Sequence, residues 1–412
     1  MALNIVWVAF ILIAFIIAVI KFVVLGDTTI FKTLVDGIFD ASKSSVLDVA
    51  FPLAGSMVFF LGLMNIAEKA GAINWLARRL SPFMKRLFPG VPQDHPAMGE
   101  MVMNFSANML GLDNAATPFG LKAMQSLETL NPEKGTATNA QIMFLVLHTS
   151  GLTVIPLTII TYRLGANSAD ATSVFIPCVL ATVCATLASI IITGSIQKIK
   201  WDKVLLLWML SLLSFVGLLL FFIQSLPPEA KTTFSSAAGN FILLLIVVTI
   251  IAGGAYKKVS VFDAFIEGAK EGFNVVIKII PYLVGMLVAI RVFRESGALG
   301  YLTDGIAYLL QLTGINTEFV PALPVAIMKP FSGSGSRGLM LDIFANPLYG
   351  PDSFVGKLAS TFQGSADTTF YIIALYFGSV GIKKVRYAVW AGLMADMLGV
   401  IAAIIIGYYF FK

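Results

Sequence analysis

The chain has 412 residues, of which 58% are hydrophobic and only 12% are charged, and its mean hydropathy is +0.87. This composition excludes an ordinary soluble globular protein and is typical of a helical protein with many membrane spans. The net charge of +5 is modest. No run combines many basic residues with aromatic ones, so we expect no nucleic-acid binding.

Nine apolar segments are long enough to be predicted as membrane-spanning helices. In chain order they cover about residues 4–25, 46–66, 139–163, 172–196, 203–223, 239–256, 274–294, 354–378 and 386–411. A basic segment after the second span, about residues 69–87, has apolar residues at helical spacing and predicts a helix lying along the membrane surface.

Two further segments, about residues 97–125 and 318–345, are interrupted midway by small polar residues. Each is too short for two full crossings, which need about 40 apolar residues. Broken backbone at membrane depth is tolerated only where protein or a water-filled cavity surrounds it. The sequence therefore predicts two re-entrant helical hairpins, and such paired interruptions indicate the binding site of a carrier.

The two halves of the chain, residues 1–200 and 201–412, resemble each other. Gly71-Ala72 and Phe105-Ser106 match Gly297-Ala298 and Phe331-Ser332 at one constant spacing. An odd number of predicted spans separates the start of the two units, so the second unit is expected to be inverted. More than half of the lysines and arginines fall in segments predicted on one side, which the positive-inside rule makes cytoplasmic. The N-terminus is then inside and the C-terminus outside.

The second interrupted segment contains the run Pro330-Phe-Ser-Gly-Ser-Gly-Ser-Arg-Gly338. Glycines allow a ligand to approach the backbone, and a helix N-terminus favours anions. The predicted solute-binding residues here are Ser332, Ser334, Ser336 and Arg337. The alternative is a close-packing motif in which the glycines only let helices touch.

The first interrupted segment offers three more candidates, Asn104, Ser106 and Asn108, of which Asn104 and Asn108 share a helical face. Two carboxamides at membrane depth need partners, from either a ligand or the protein. Asn114 is a further candidate, and it can instead simply cap the following helix.

Polar residues also interrupt two of the predicted spans. The span at 354–378 contains Gln363, Asp367 and Thr368, and its counterpart at 139–163 contains Thr149 and Ser150 beside His148. A charged residue inside a membrane is costly, so we assign these residues to the wall of a solute cavity. Asp367, and Asp396 in the last span, are candidate ligands for a coupling Na⁺ or H⁺, and a structural role for Asp396 is equally open.

No sequence pattern indicates catalysis. There is no phosphate-binding loop, zinc-ligand spacing or nucleophile elbow. Cys178 and Cys184 are interpreted as packing residues. We therefore predict that the protein is not an enzyme and binds no metal or cofactor other than a possible coupling ion.

Longer runs add a resemblance to known proteins. The run Pro330–Gly338, Leu341-Asp-Ile-Phe344, Tyr349-Gly-Pro-Asp-Ser353, Gln363–Tyr371 and Tyr376–Lys384 resemble spore maturation protein B. Gly111-Leu-Asp-Asn-Ala-Ala-Thr-Pro-Phe-Gly-Leu-Lys-Ala-Met124 resembles spore maturation protein A. The chain thus resembles a fusion of the two, within the nucleoside-recognition or Gate family. The resemblance implies an all-α bacterial inner-membrane protein with two inverted Gate repeats around a central site, similar to the concentrative nucleoside transporters.

Together these observations predict a secondary carrier for a small polar or anionic solute, bound between the two hairpin tips at the middle of the bilayer. The alternative is a membrane scaffold or accessory protein in spore or envelope maturation, in which the polar residues only satisfy one another. The uniformly apolar spans at 203–223 and 239–256 could also form an interface between copies of the chain.

Overall fold

A computed structural model describes the backbone of residues 2–111 and 113–412, and their side chains except at 2–6, 113–115, 228, 229, 231, 232, 235, 236, 278, 279 and 282. The fold is all-helical, as predicted. The helices are α1 Ala2–Leu25, α2 Ile30–Ser44, α3 Phe51–Lys69, α4 Ala72–Leu87, α5 Pro96–Met109, α6 Asp113–Thr129, α7 Asn139–Ser150, α8 Leu157–Gly165, α9 Phe175–Ile196, α10 Lys203–Ser225, α11 Pro228–Tyr256, α12 Val261–Glu295, α13 Ala298–Gln311, α14 Leu323–Met328, α15 Gly333–Ala345, α16 Phe354–Gly364, α17 Thr369–Ser379 and α18 Ala388–Phe411.

Six helices in the described part of the chain are long and apolar enough to cross a membrane. They are Trp7–Leu25, Ile30–Lys69, Ala171–Ile196, Lys203–Ser225, Ala237–Tyr256 and Ala388–Phe411. The predicted count of nine was higher. Two of the other three predicted spans are broken into shorter helices, and the third is α12, which includes side chains outside the described set.

The predicted spans at 139–163 and 354–378 are the two that break. The first divides into α7 and α8 at Gly151, whose φ of +51° is left-handed, and α8 begins only after Pro156. The second divides into α16 and α17 across residues 365–368. A continuous helix at either place was therefore wrong, because a left-handed glycine and a short polar run end the backbone hydrogen-bond ladder.

Both interrupted segments fold back on themselves as helical hairpins. In the first, the Asn104 side chain on α5 donates to the carbonyl of Ala116 on α6 over 2.7 Å. In the second, the Ser336 hydroxyl on α15 donates to the carbonyl of Val325 on α14, also over 2.7 Å. Each bond joins residues on opposite sides of a turn, so each pair of helices reverses direction at the predicted interruption.

Helix α4 corresponds to the predicted surface helix. Its apolar side is buried in the protein core, where Leu80, Phe83 and Leu87 are at most 4% exposed. The ring of Phe83 lies 5.3 Å from that of Trp208 on α10. The apolar face of α4 therefore packs on neighbouring helices.

Helix α3 from the first half packs along α12 from the second. Three glycines make this packing possible. A methyl group at Gly62 would lie 2.6 Å from the ring of Phe265, and one at Gly268 would lie 2.5 Å from the Leu61 carbonyl oxygen. One at Gly272 would lie 2.8 Å from the Cα of Val58. Gly268 and Gly272 are four residues apart on one face, the spacing that lets helix backbones approach in membranes.

We predict that Gly268→Ala destabilises the protein although alanine is the better helix former. The added methyl must displace the α3 backbone, and overpacking of this kind costs about 1–3 kcal/mol. The matched control is Gly217→Ala on α10, where an added methyl meets nothing within 4 Å. Thermal unfolding of the purified protein in detergent should show a lower midpoint for the first variant only; equal midpoints would contradict a close α3–α12 crossing.

Candidate functional site

Polar groups surround a cavity of about 150 Å³ between the hairpins and the two broken helices. Both halves of the chain contribute to its wall. The lining residues that carry polar side chains are Asn108, His148, Thr153, Thr158, Lys329, Arg337, Gln363, Asp367 and Thr368. The cavity therefore brings together side chains that are distant in the sequence and lie on α5, α7, α8, α14–α16 and the two breaks.

His148 is the centre of a hydrogen-bond network on one wall. Its Nδ1 lies 3.0 Å from Asn104 Oδ1 and 2.8 Å from the Asn108 carboxamide. Asn104 donates its amide nitrogen to the carbonyl of Ala116, which fixes its oxygen towards the histidine. The Asn108 contact is made by its amide nitrogen, so His148 Nδ1 faces one acceptor and one donor, and these contacts fit either neutral tautomer.

The other histidine nitrogen faces Tyr376 and Asp367. Nε2 lies 3.5 Å from the Tyr376 hydroxyl and 3.7 Å from Asp367 Oδ2. The Asp367 side chain is 46% exposed, and its other oxygen accepts from the backbone amide of Thr368 over 2.6 Å. Asp367 thus places an accessible carboxylate at the cavity.

The hairpin serines are engaged in holding the hairpin. Ser332 caps α15 by accepting from the Gly335 amide over 2.9 Å, and Ser336 bridges to Val325. Ser334 lies 3.3 Å from Ser332 and is half-buried. Arg337 faces the cavity, stacks over the Tyr162 ring with a centroid distance of 5.0 Å, and donates to its hydroxyl over 3.0 Å.

Two helix N-termini are directed at the same cavity. Its lining includes Gly333, the first residue of α15, and Leu157 and Thr158, the first residues of α8. A helix N-terminus carries about half a positive charge on its free amides. Lys329 and Arg337 add two cationic side chains, whereas Asp367 is the carboxylate in the lining. The electrostatic environment therefore favours an anionic group.

Of the residues predicted to bind solute, the structure places Asn108, Arg337, Gln363, Asp367 and Thr368 in the lining. Asn104 lies behind His148. Three others donate to carbonyls of their own helices, namely Ser106 to Val102, Thr149 to Val146 and Ser150 to Leu147. The Asn114 side chain lies outside the described residues. No direct measure of binding bears on these assignments, which stay predictions.

Asp396 lies behind the cavity on α18. It is 6% exposed, and its Oδ2 accepts from the Thr369 hydroxyl over 2.6 Å, while Oδ1 has no hydrogen-bond partner. Gly392, one turn earlier, lets Thr369 approach, because a methyl there would lie 2.7 Å from the threonine. Asp396 therefore supports the start of α17.

Tyr376 and Tyr162 were not predicted as site residues. Tyr376 lies against His148, with ring centroids 5.0 Å apart, and it is completely buried. A methyl at Gly120 would lie 2.0 Å from its hydroxyl, so the glycine makes room for it. Within an apolar helix a tyrosine gives little indication of its partner, and these roles could only be found from the fold.

A second polar cluster, centred on Arg163, joins the two halves away from the cavity. Arg163 is fully buried and donates to Asp352 Oδ1 over 2.8 Å and to the Pro351 carbonyl over 2.5 Å. It also bonds the Ala171 and Asp170 carbonyls and three serine hydroxyls. With its charge paired and its donors satisfied, Arg163 has a structural role.

Comparison with known proteins places these elements in a family. A family model described as nucleoside recognition, called Gate, matches residues 50–165 and 276–383, which is more than half of the chain. The chain belongs to the nucleoside-recognition (Gate) family. Both matched regions contain one hairpin and one broken helix, so the Gate family accounts for the elements that form the cavity.

Two curated relatives from Bacillus subtilis (strain 168) match this Gate-family chain. Spore maturation protein B is 51% identical over 153 residues, which cover 37% of this chain and 83% of that protein. Spore maturation protein A is 41% identical over 157 residues, which cover 38% of this chain and 80% of that protein. The predicted resemblance is confirmed, and the coverage is consistent with a fusion of the two. No solved structure matches the chain significantly.

We predict that Arg163→Ala destabilises the protein by about 2–4 kcal/mol, because several buried acceptors and the Asp352 carboxylate lose their donor. Asp352 keeps part of its hydration, as 38% of its side chain is exposed. The control is Arg78→Ala, an exposed arginine on α4. Thermal unfolding in detergent should separate the two variants, and a small shift for Arg163→Ala would show that water replaces its contacts.

The Asp352 loop should also make stability depend on pH. Burial acts to raise the pKa of Asp352, but hydrogen bonds from Ser168 and the Ala169 amide, with the Arg163 charge, outweigh it and lower the pKa. A lowered folded-state pKa stabilises the fold above the unfolded-state pKa of about 3.9, and that stabilisation is lost as pH falls through the folded-state pKa.

The matched test compares Asp352→Asn with the unchanged chain. At neutral pH the variant should have the lower unfolding midpoint, and the difference should shrink as the pH is lowered towards about 3. A difference that stays constant across this range would show that the Asp352 charge does not contribute.

Proposed function

We propose that this Gate-family protein is a secondary carrier for a small polar or anionic solute, with its site in the cavity between the two hairpins. The observation that supports this most is the cavity itself. Its wall combines both hairpins and both broken helices, and broken backbone at membrane depth is expected where a protein lines a polar cavity.

Contacts between the halves support an inverted repeat with two re-entrant hairpins. Corresponding helices pack on one another, α3 on α12 and α9 on α18. The relation is also reciprocal for other elements, since α7 contacts α18 and α16 contacts α9. The loops are also joined reciprocally. The Arg163 side chain of the first half donates to the loop at 351–352, and the backbone amides of Lys383 and Lys384 in the second half donate to the Gly135 carbonyl.

This reciprocity is what a two-fold axis in the membrane plane would produce. The two units would then open to opposite faces of the bilayer, and rocking of one unit against the other would give alternating access. On this proposal the N-terminus is cytoplasmic and the C-terminus outside, in a bacterial inner membrane. The exposed apolar faces of α10 and α11 then meet lipid or a second copy of the chain.

Coupling to an ion belongs to the same proposal. Asp367 is an accessible carboxylate in the lining, and Asp396 is a buried one that accepts from the Thr369 hydroxyl at the start of α17. An intramembrane carboxylate marks an ion or proton pathway more often than not. A gradient of Na⁺ or H⁺ would then drive solute movement through one or both groups.

A non-transporting scaffold is the second candidate, and one observation favours it. Ser332, Ser336 and Thr149 satisfy their hydroxyls within the protein, as a packing role would require. The spore maturation proteins similar to the two parts of the chain carry a name that fits an envelope role. Against it stand the polar atoms at the cavity that have no partner.

The test uses proteoliposomes loaded with a defined mixture of isotope-labelled small carboxylates, amino acids and neutral metabolites, with efflux followed by mass spectrometry. A carrier should release at least one labelled compound faster than protein-free liposomes loaded with the same mixture do. Gly333→Val should stop that release, because a side chain there meets the Thr368 hydroxyl 2.7 Å from its Cβ and enters the cavity.

The matched control is Gly217→Val, which adds the same side chain on the exposed side of α10. It should release solute at the unchanged rate. Efflux that is absent for every labelled compound, or unaffected by Gly333→Val, would favour the scaffold.

A further inference from the structure

We infer that the solute is amphoteric: a small molecule with an anionic group close to a protonated amine, of the size and charge pattern of a small α-amino acid. The inference rests on the proposed solute site and specifies its chemistry. It is drawn from buried polar atoms without partners on residues that line the cavity, and from the cavity volume.

The first such atom is a donor. Arg337 donates to Tyr162 through one terminal nitrogen, but its Nε is buried and has no hydrogen-bond partner. An unsatisfied buried donor is costly, more so when the group is charged. The Arg337 guanidinium and the N-terminus of α15, four residues earlier, both favour a negatively charged hydrogen-bond acceptor such as a carboxylate.

The second is an acceptor. Gln363 is 5% exposed, its Nε2 donates to the Gly333 carbonyl over 3.4 Å, and its Oε1 has no partner. If the Gln363 oxygen and nitrogen were exchanged, the Gln363 oxygen would face the Gly333 carbonyl oxygen. The contact with Gly333 therefore favours the orientation in which Nε2 is the donor. A ligand that satisfies both Arg337 and Gln363 must therefore carry a hydrogen-bond donor as well as an acceptor.

The donor side of the solute meets further acceptors. The Asp367 side chain is 46% exposed, and its carboxylate lies 3.7 Å from His148 Nε2. A group with several N–H donors can satisfy the exposed carboxylate oxygen. An ammonium has three donors and a positive charge that complements Asp367.

Volume limits the size of the molecule. The cavity of about 150 Å³ is below the 300–1,000 Å³ usual for drug-sized ligands. A carboxylate and an amine separated by one carbon fit it.

The experiment measures binding of three probes to the purified full-length chain by calorimetry: glycine, acetate and methylammonium. Acetate lacks the amine and methylammonium lacks the carboxylate, so each leaves one set of cavity groups unpaired. Glycine should bind at least about tenfold more tightly than either, because a site built to hydrogen-bond a group discriminates against the analogue lacking it.

Substitutions at two residues test separately how the amine and the carboxylate of the solute are bound. Asp367→Asn should remove the preference of glycine over acetate, and Asp367→Glu should retain it. Arg337→Gln should weaken glycine and acetate alike by at least about tenfold and leave methylammonium unchanged. Matched controls are Asp304→Asn and Arg78→Gln, which alter exposed residues. Unchanged unfolding midpoints would exclude misfolding as the cause.

Two outcomes would overturn the inference. If acetate binds the unchanged chain as tightly as glycine, or if Asp367→Asn keeps the preference, the solute is not amphoteric, and an anion carrier remains. If no probe binds while liposomes still release a labelled compound, this inference fails alone. If neither binding nor release is detected, the proposed carrier fails with it.

Discussion

The structure depends on one constraint: every backbone group freed by a broken helix must find a partner inside the protein. The breaks meet this requirement across elements. The Asp367 amide donates to the Thr149 carbonyl over 2.7 Å, so one break bonds the end of the other broken helix. The Phe370 amide donates to Pro330 at the second hairpin, and the Val154 amide to Met109 at the first. Without these bonds, each break would leave unsatisfied groups costing several kcal/mol in an apolar surrounding.

The side chains of the outer helices complete what the backbone leaves open. The Thr182 hydroxyl on α9 meets both the amide and the carbonyl of Thr153, and Asp396 on α18 receives the Thr369 hydroxyl. The two helices thus hold the two breaks in a similar way, one with a neutral group and one with a carboxylate. Because one group is neutral and the other ionisable, charge at α18 can influence the second break in a way that has no equivalent at the first.

The sequence predicted that helices end within residues 97–125 and 318–345 because the interruption is visible in composition: proline, glycine and serine replace apolar residues for several positions. It did not predict the break between α7 and α8. The stretch from Leu152 to Leu157 stays largely apolar, and the Asp367 amide that bonds the Thr149 carbonyl comes close to this break only in the folded chain. The sequence also does not show whether a polar side chain bonds within the hairpin or faces the cavity. Ser332 and Arg337 lie in the same polar run, yet one holds the hairpin and the other faces the cavity, since a cap and a ligand draw on the same residue types.

Two arginines differ in how completely the fold satisfies their donors. Arg163 is completely buried, and its guanidinium nitrogens donate to carbonyls, hydroxyls and Asp352 from both halves. Arg337 is only partly buried, with a tyrosine stacked against it and a buried Nε that bonds nothing. A protein that only packed its halves together would gain by satisfying both. Gln363 lies in the same cavity lining and also has a buried oxygen without a partner; on the proposed function, a single solute supplies both missing partners.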